Sequence, residues 1–324
     1  MDRRTFLASL AAASLSRPAR AGAQQPPKAR GPYKIGILIY AYGPNPPVVQ
    51  GFKAGLAEQG FEEGRDIAYQ TGFTRASIEA LPGAAASLVR ANVDVIFTQL
   101  ETPTRAAMGA TKSIPIVFAQ VGDPVAAGIV KSIARPGGHI TGVSGLTTEL
   151  APKRLEALKS CAPALKRIWA IHSPDDLSSA ASAKKAREAA PALGLEILGR
   201  PVRSADEAVS VLKTVPRADG ILAPTAITFG ITGRVLDLAP FVPSVFDAPF
   251  WVQGGGLVAY GVGHEIQGRQ AARLVARILQ GTRPQDLPIE GSTKFELAVN
   301  LKTAKALHLT IPQSVLARAD QVIQ

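Results

Sequence analysis

Glu101 and Asp123 are the two carboxylates whose positions could carry chemistry. Each falls just past an apolar run of the buried-strand type, where a cleft would lie. Two acids so placed could catalyse glycoside hydrolysis. They could equally fix a ligand amine or cap helices. Asp123 precedes Pro124 at the start of a helical pattern, which is N-cap chemistry. Glu101 opens a helical pattern beside Thr102 and Pro103, where free backbone N–H groups can hold an anion. An acid there suits the helix dipole and also places negative charge in the cleft. Gly261-Val262-Gly263 lies between a strand-like and a helix-like run, the setting of a dinucleotide loop, but position 266 is Ile where the third glycine belongs. Thr141-Gly142-Val143-Ser144-Gly145 lacks nucleophile-elbow spacing and reads as a turn or hinge. The sequence holds no G-x-x-x-x-G-K-[ST] phosphate loop. His139, His172, His264 and His308 lack paired metal-ligand spacing, so zinc has little support. Cys161 is the single cysteine, which excludes an intrachain disulfide and a cysteine-based metal cluster. No cofactor is expected.

The elements that must hold these groups alternate along the chain. Residues 33–40 form an apolar run of the parallel-strand type. Val48, Val49, Phe52 and Leu56 then fall on one helical face, closed by Gly60. Strands are predicted at 66–70, 93–99, 114–120 and 140–143, with helices around 78–89, 102–112 and 125–134. The rhythm then restarts. Helices are predicted at 150–160, 180–193, 205–213 and 228–238, with strands at 167–172, 195–199, 220–223 and 242–246. Two β/α runs of similar length argue for an α/β protein of two doubly wound lobes. Ligands bind beyond the C-terminal ends of such strands, so facing lobes would share a central ligand cleft.

The N-terminus carries the twin arginines Arg3-Arg4, an apolar stretch over 7–15 and small-residue steps up to Ala23. That order is a twin-arginine-type signal peptide, predicted over 1–23, with a polar leader over 24–31. The apolar stretch is too short to span a bilayer, which takes about 20 residues. No cysteine lies near the cleavage region, so the expectation is a soluble exported chain without a lipid anchor there. The remaining length suits two domains. Net charge is +11, and +8 once residues 1–23 with four Arg and one Asp are removed. The basic residues are dispersed and not interleaved with aromatics, which argues against nucleic acid as a partner.

Four ordered blocks carry a family resemblance. They are Ser113-Ile-Pro-Ile-Val-Phe118 with Val121-Gly-Asp-Pro-Val125; Ala134-Arg-Pro-Gly-Gly-His-Ile-Thr-Gly-Val-Ser144, continued by Glu149-Leu-Ala-Pro-Lys-Arg-Leu-Glu156; Gly254-Gly-Gly-Leu-Val-Ala-Tyr-Gly261; and the stretch 293–307 with Thr310-Ile-Pro312. From residue 33 onward the chain resembles the ABC-transporter substrate-binding proteins typified by tryptophan- and tyrosine-binding members. The resemblance implies a type I periplasmic-binding-protein fold, with two Rossmann-like lobes joined by three crossings and closing on a ligand. It implies no catalysis, a monomer in the periplasm, and a separate ABC permease and ATPase as partners. A ligand-sensing partner of a membrane receptor is the alternative, and a periplasmic hydrolase using the two acids is a third reading.

The lobes are expected at 32–145 plus 256–284 and at 146–255 plus 285–324, with the second crossing near 253–256. Matched onto this sequence, the family's ligand loops bring in Tyr40, Ala41 and Tyr42; Gln99, Glu101, Thr102 and Thr104; Gln120 and Asp123; Ser173 and Asp175; and Thr225. Phe246, Asp247 and Tyr260 are further candidates, with core packing as the other reading for Tyr40, Phe246 and Tyr260. The chain departs from the family at Leu100-Glu101-Thr102, where relatives have a Gly-Thr-Pro-like turn. The ligand implied is an amino acid or related carboxylate, possibly aromatic in class.

Overall fold

Apolar runs bounded by glycine and proline become strands buried on both faces, as parallel sheets require. The computed structural model describes residues 31–40, 43–223, 230–238, 240–292 and 294–324. The expected signal peptide and the expected site residues Ala41, Tyr42 and Thr225 lie outside the described residues.

The first sheet holds β1 (Tyr33–Ile39), β2 (Ile67–Phe73), β3 (Val95–Gln99), β4 (Ile116–Val121), β5 (Ile140–Ser144) and, from far along the chain, β11 (Glu290–Gly291). Its order is β11-β5-β4-β3-β1-β2. The second sheet holds β6 (Arg167–His172), β7 (Glu196–Pro201), β8 (Gly220–Leu222), β9 (Ser244–Phe246), β10 (Val258–Gly261), β12 (Glu296–Asn300) and β13 (Gln321–Ile323). Its order is β13-β12-β10-β9-β8-β6-β7, and β12 runs antiparallel to β10.

Helices cover both sheets. The first lobe carries α1 (Pro47–Glu58), α2 (Leu81–Arg90) and α3 (Glu101–Ala110). The second carries α4 (Ala151–Cys161), α5 (Leu177–Ala189), α6 (Ala205–Leu212), α7 (Thr232–Leu238) and α8 (Pro249–Gln253). Then α9 (His264–Leu279) returns to the first lobe, and α10 (Leu301–Ala306) and α11 (Gln313–Leu316) complete the second. Close packing of α1 on α9 depends on missing side chains. A Cβ on Gly51 would fall on the backbone of Glu265, and one on Gly268 would fall on the carbonyl of Val48.

Two expectations fail here. Residues 125–134 do not form a helix but a run of turns. Gly128 sits at φ +65°, and the run ends at Pro136-Gly137-Gly138, where both glycines have positive φ. These breaks defeat an apolar pattern that reads as helical. The lobe boundaries also differ from those expected. Val258 and Ala259 pair with Val245 and Phe246 on one side and with Val299 and Ala298 on the other. Residues 258–261 therefore belong to the second sheet, and 290–291 to the first. The chain crosses between lobes around Gly145, between β10 and α9, and between β11 and β12. An apolar strand shows its period in the sequence but not its neighbours, which is why this crossing was displaced.

One apolar cluster packs β1, β3 and β4 against α1 and α9. A second fills the far face of the second sheet under α4 and α5. The third is continuous across the lobes, uniting Leu38, Tyr40 and Leu100 with Phe246 and Trp251.

Candidate functional site

The C-terminal ends of β1, β3 and β4 meet the loops of the second lobe, as the doubly wound topology requires. The β3 end is strained. Leu100 takes φ 70° and ψ 170°, a region that favours glycine. It is held there from both sides: its N–H donates to the Ala119 carbonyl at 2.9 Å, and its own carbonyl accepts from Thr104 Oγ1 at 2.6 Å. Thr104 also meets the Thr98 hydroxyl at 2.8 Å and is fully buried. At the end of β4 the register shifts between Ala119 and Val121, and Gln120 has φ 63°. The bulge re-aims Gln120, whose Oε1 accepts from Gln99 Nε2 at 2.7 Å. Both glutamines are buried.

Glu101 is the next residue, and it reaches the opposite lobe. Its Oε1 accepts from Arg105 Nε at 2.9 Å, one turn along α3. Its Oε2 accepts from the Ser178 hydroxyl at 2.7 Å and from the Ser178 N–H at 3.2 Å. Arg105 also donates to the Ala127 carbonyl. Ser178 lies in the first turn of α5, in the second lobe. Its hydroxyl accepts from the Asp123 N–H at 3.2 Å, and its carbonyl accepts from the Thr148 hydroxyl at 3.3 Å. The own cap of α5 is Asp176, whose Oδ1 accepts from the Ser179 N–H at 2.8 Å. The first turn of α5 is thus satisfied by two carboxylates, one from each lobe. Burial first, and then the Glu101 charge, push the Asp176 carboxyl up to about 7.

The other expected residues divide. Tyr40 is buried, and its hydroxyl lies where a Cβ on Gly230 of the second lobe would approach to 3.1 Å. Burial, then the Glu79 charge, push its phenol up to about 12. Thr102 is half-buried in the first turn of α3. Asp123 Oδ1 accepts from the N–H groups of Val125 and Ala126 at 3.1 and 2.9 Å, so it caps a turn. Ser173 is buried, with its N–H donating to Ser179 Oγ at 3.2 Å. Asp175 is exposed and lies 3.6 Å from Arg203. Phe246 stacks on Trp251 at 4.7 Å within the core, and Asp247 Oδ1 accepts from Trp251 Nε1 at 3.0 Å. Tyr260 is separate from the rest. Its ring stacks on Phe295 and lines an outer groove with Lys153, Leu297 and Arg318.

Sequence reasoning missed Ser178, Asp176 and Arg105. Asp176-Leu177-Ser178-Ser179 ahead of an Ala-rich run is a legible N-cap, but the adjacent Asp175 drew attention instead. The pairing of Ser178 with Glu101 spans 77 residues and has no local signal. Arg105 stands four residues after Glu101, a spacing that could have been read.

Both candidate acids are occupied by hydrogen bonds that hold turns, a helix end and the lobe contact. Among the described residues no group of His, Cys, Asp and Glu could hold a metal ion. No helix among them is long and apolar enough to cross a membrane.

Comparison with known proteins agrees with this geometry. The "Tyrosine-binding protein" of Clostridioides difficile (strain R20291) is 26% identical over 265 residues, covering 80% of this chain and 76% of that protein. A solved ABC domain from Streptococcus pneumonia in complex with L-Trp superimposes with a TM-score of 0.79 at 24% identity, covering 90% of this chain and all of that one (100%). The ligand-free, open structure of CD0873 from Clostridium difficile, a substrate binding protein with adhesive properties, gives a TM-score of 0.64 at 25% identity, covering 90% and 99% of the two chains. The family model described as "ABC transporter substrate binding protein" matches residues 35–323. The chain belongs to the ABC transporter substrate binding protein family.

Proposed function

We propose that this chain is an exported receptor that binds a small organic solute between its lobes and delivers it to an ABC permease driven by a separate ATPase. The observation that carries this reading is the site itself: strand ends of two doubly wound lobes face each other and are bridged by Glu101 and Ser178. The twin arginines, apolar stretch and small-residue steps of residues 1–23 support export to the periplasm, where the receptor acts as a monomer. The names of the relatives support an amino acid or related carboxylate as ligand, with aromatic side chains first to be tested. The amides of Gln99 and Gln120, the Thr102 hydroxyl and the Tyr40 ring are the groups on the described strand ends that would meet it. Glu101 is proposed as part of the lobe contact and not as the partner of a ligand amine, because its oxygens are taken up by Arg105 and Ser178.

Native mass spectrometry of protein purified from its own periplasm tests the reading. An intact small organic molecule released on denaturation is the expected result. Titration calorimetry with tryptophan, tyrosine and phenylalanine then ranks the class. Conversion of the bound molecule during incubation, or no bound mass together with no heat from any amino acid or carboxylate, overturns it.

A further inference from the structure

Two carboxylates from opposite lobes converge on the first turn of α5. Glu101 belongs to the first lobe and is 3% exposed; Asp176 belongs to the second and is 9% exposed. They occupy neighbouring amides of one helix turn, those of Ser178 and Ser179, and the Glu101 charge bears on the Asp176 carboxyl. Two buried carboxylates so placed cannot both stay ionised without cost. One helix terminus carries only about half a positive charge. Among the described residues, Arg105 is the cation paired with Glu101, and its side chain is 41% exposed.

We propose that lobe closure takes up a proton: the Glu101–Asp176 contact forms with one proton between the two carboxyls, so the closed form gains on the open form as pH falls. The proposal rests on the lobes opening and closing as the proposed receptor requires, but not on which solute it binds. The proton stays on Asp176 in the closed form and is donated to Glu101; on opening it returns to solvent, and no covalent bond changes.

The charged groups around this corner come from several elements. Glu101 and Arg105 face it from α3, and Asp123 from the turn after β4. Asp175, beside Arg203, lies on the solvent side, and His172 at the end of β6 faces Gly199. Arg105 opposes proton uptake, whereas burial and Glu101 favour it more strongly. In the open form Asp176 returns to water, where an aspartate titrates near ~3.9. In the closed form its carboxyl is pushed up to about 7. Between those two values closing binds a proton, so the closed-to-open ratio falls by up to about tenfold for each unit of rising pH. Below and above that window the ratio is flat.

The test uses the full mature chain with no added solute. Ala80→Cys and Asp206→Cys place labels on exposed positions following the outer strands β2 and β7, one on each lobe. The native Cys161 does not compete, because it is buried and its thiol is pushed up to about 12. Pulsed dipolar spectroscopy of the spin-labelled pair then measures the lobe separation across the acid-to-neutral range. The short distance should lose population as pH rises through the window. Asp176→Asn keeps the cap and offers an amide donor to Glu101, so its distance distribution should not change with pH. Glu101→Gln removes the charge acting on Asp176 and should move the window to lower pH. His172→Gln is the control for a nearby imidazole and should leave the window where it is. A distance distribution insensitive to pH in the labelled parent overturns the proposal, as does an unaltered window in Asp176→Asn. Because no solute is present, a failure here is separable from a failure to find the ligand.

Discussion

The Nε of Arg154 donates to the carbonyl of Tyr260 at 2.9 Å, and its Nη1 donates to the carbonyl of Thr147 at 2.8 Å. Arg154 lies on α4 and is 1% exposed. Thr147 follows the first crossing, and Tyr260 stands just before the second. One buried guanidinium therefore joins two of the segments at which the chain passes between the lobes. Arg154→Met is expected to lower stability by about 3 kcal/mol, since it leaves two buried carbonyls without donors. The urea midpoint measures this. Arg154→Lys should recover only part, because an ammonium lacks the planar fork that spans both carbonyls.

Gly122 tests closure without touching either core. A Cβ there would stand 2.9 Å from Cβ of Ser178 across the lobe contact. Gly122→Ala should hold the lobes apart, because this buried position has no room for a Cβ between Ser178 and Thr147. Lobe separation in solution, from small-angle scattering, should increase.

Ser178→Ala removes the hydroxyl that donates to Glu101 and accepts from Asp123. The closed form should lose about 1.5–3 kcal/mol, the scale of a hydrogen bond to a charged group. Once a ligand is known, its affinity should weaken by the corresponding factor, mainly through faster release. An unchanged release rate would place the closing contact elsewhere.

Gly51→Ala should damage the first lobe itself. Its Cβ would fall on the backbone of Glu265, and backbone cannot turn aside as a side chain can. Overpacking of this kind costs about 1–3 kcal/mol. A lowered melting temperature is the expected reading, with lobe separation unaffected.

Cys161 should be inert. It is fully buried, and desolvation pushes its thiol up to about 12, so roughly one molecule in ten thousand carries the thiolate at pH 8. Alkylation followed by mass spectrometry should show no label on the native chain and complete label in denaturant.

The β/α rhythm was legible because buried parallel strands write themselves as unbroken apolar runs, as in residues 33–39. The place of Glu101 at the opening of α3 was equally readable from Thr102 and Pro103 behind it. Local signals also misled. Asp123 and Pro124 start a turn, and Val125 and Ile133, within the stretch expected to be helical, are 41% and 46% exposed. The second crossing was misplaced because hydrogen-bond partners of β10 come from β9 and from β12, and neither is set by the strand's own residues. Tyr260 was expected at the cleft, but strand alternation turns its ring to the outer groove. The lobe contact was least legible of all. It depends on how two separately folded surfaces meet, and only the cap on α5 had a local signature.

The interleaved path of the chain has a practical consequence for dissecting the molecule. Each lobe is assembled from two stretches that are distant in sequence, with β11 and α9 completing the first and β12 and β13 the second. No single proteolytic cut or truncation can release either lobe as one continuous polypeptide. Expressing a lobe alone would require a new loop to splice its two stretches, for example from β5 directly into α9. A nick in one crossing, by contrast, leaves two covalent straps in place, so a clipped receptor should stay assembled under native conditions and fall apart only when unfolded.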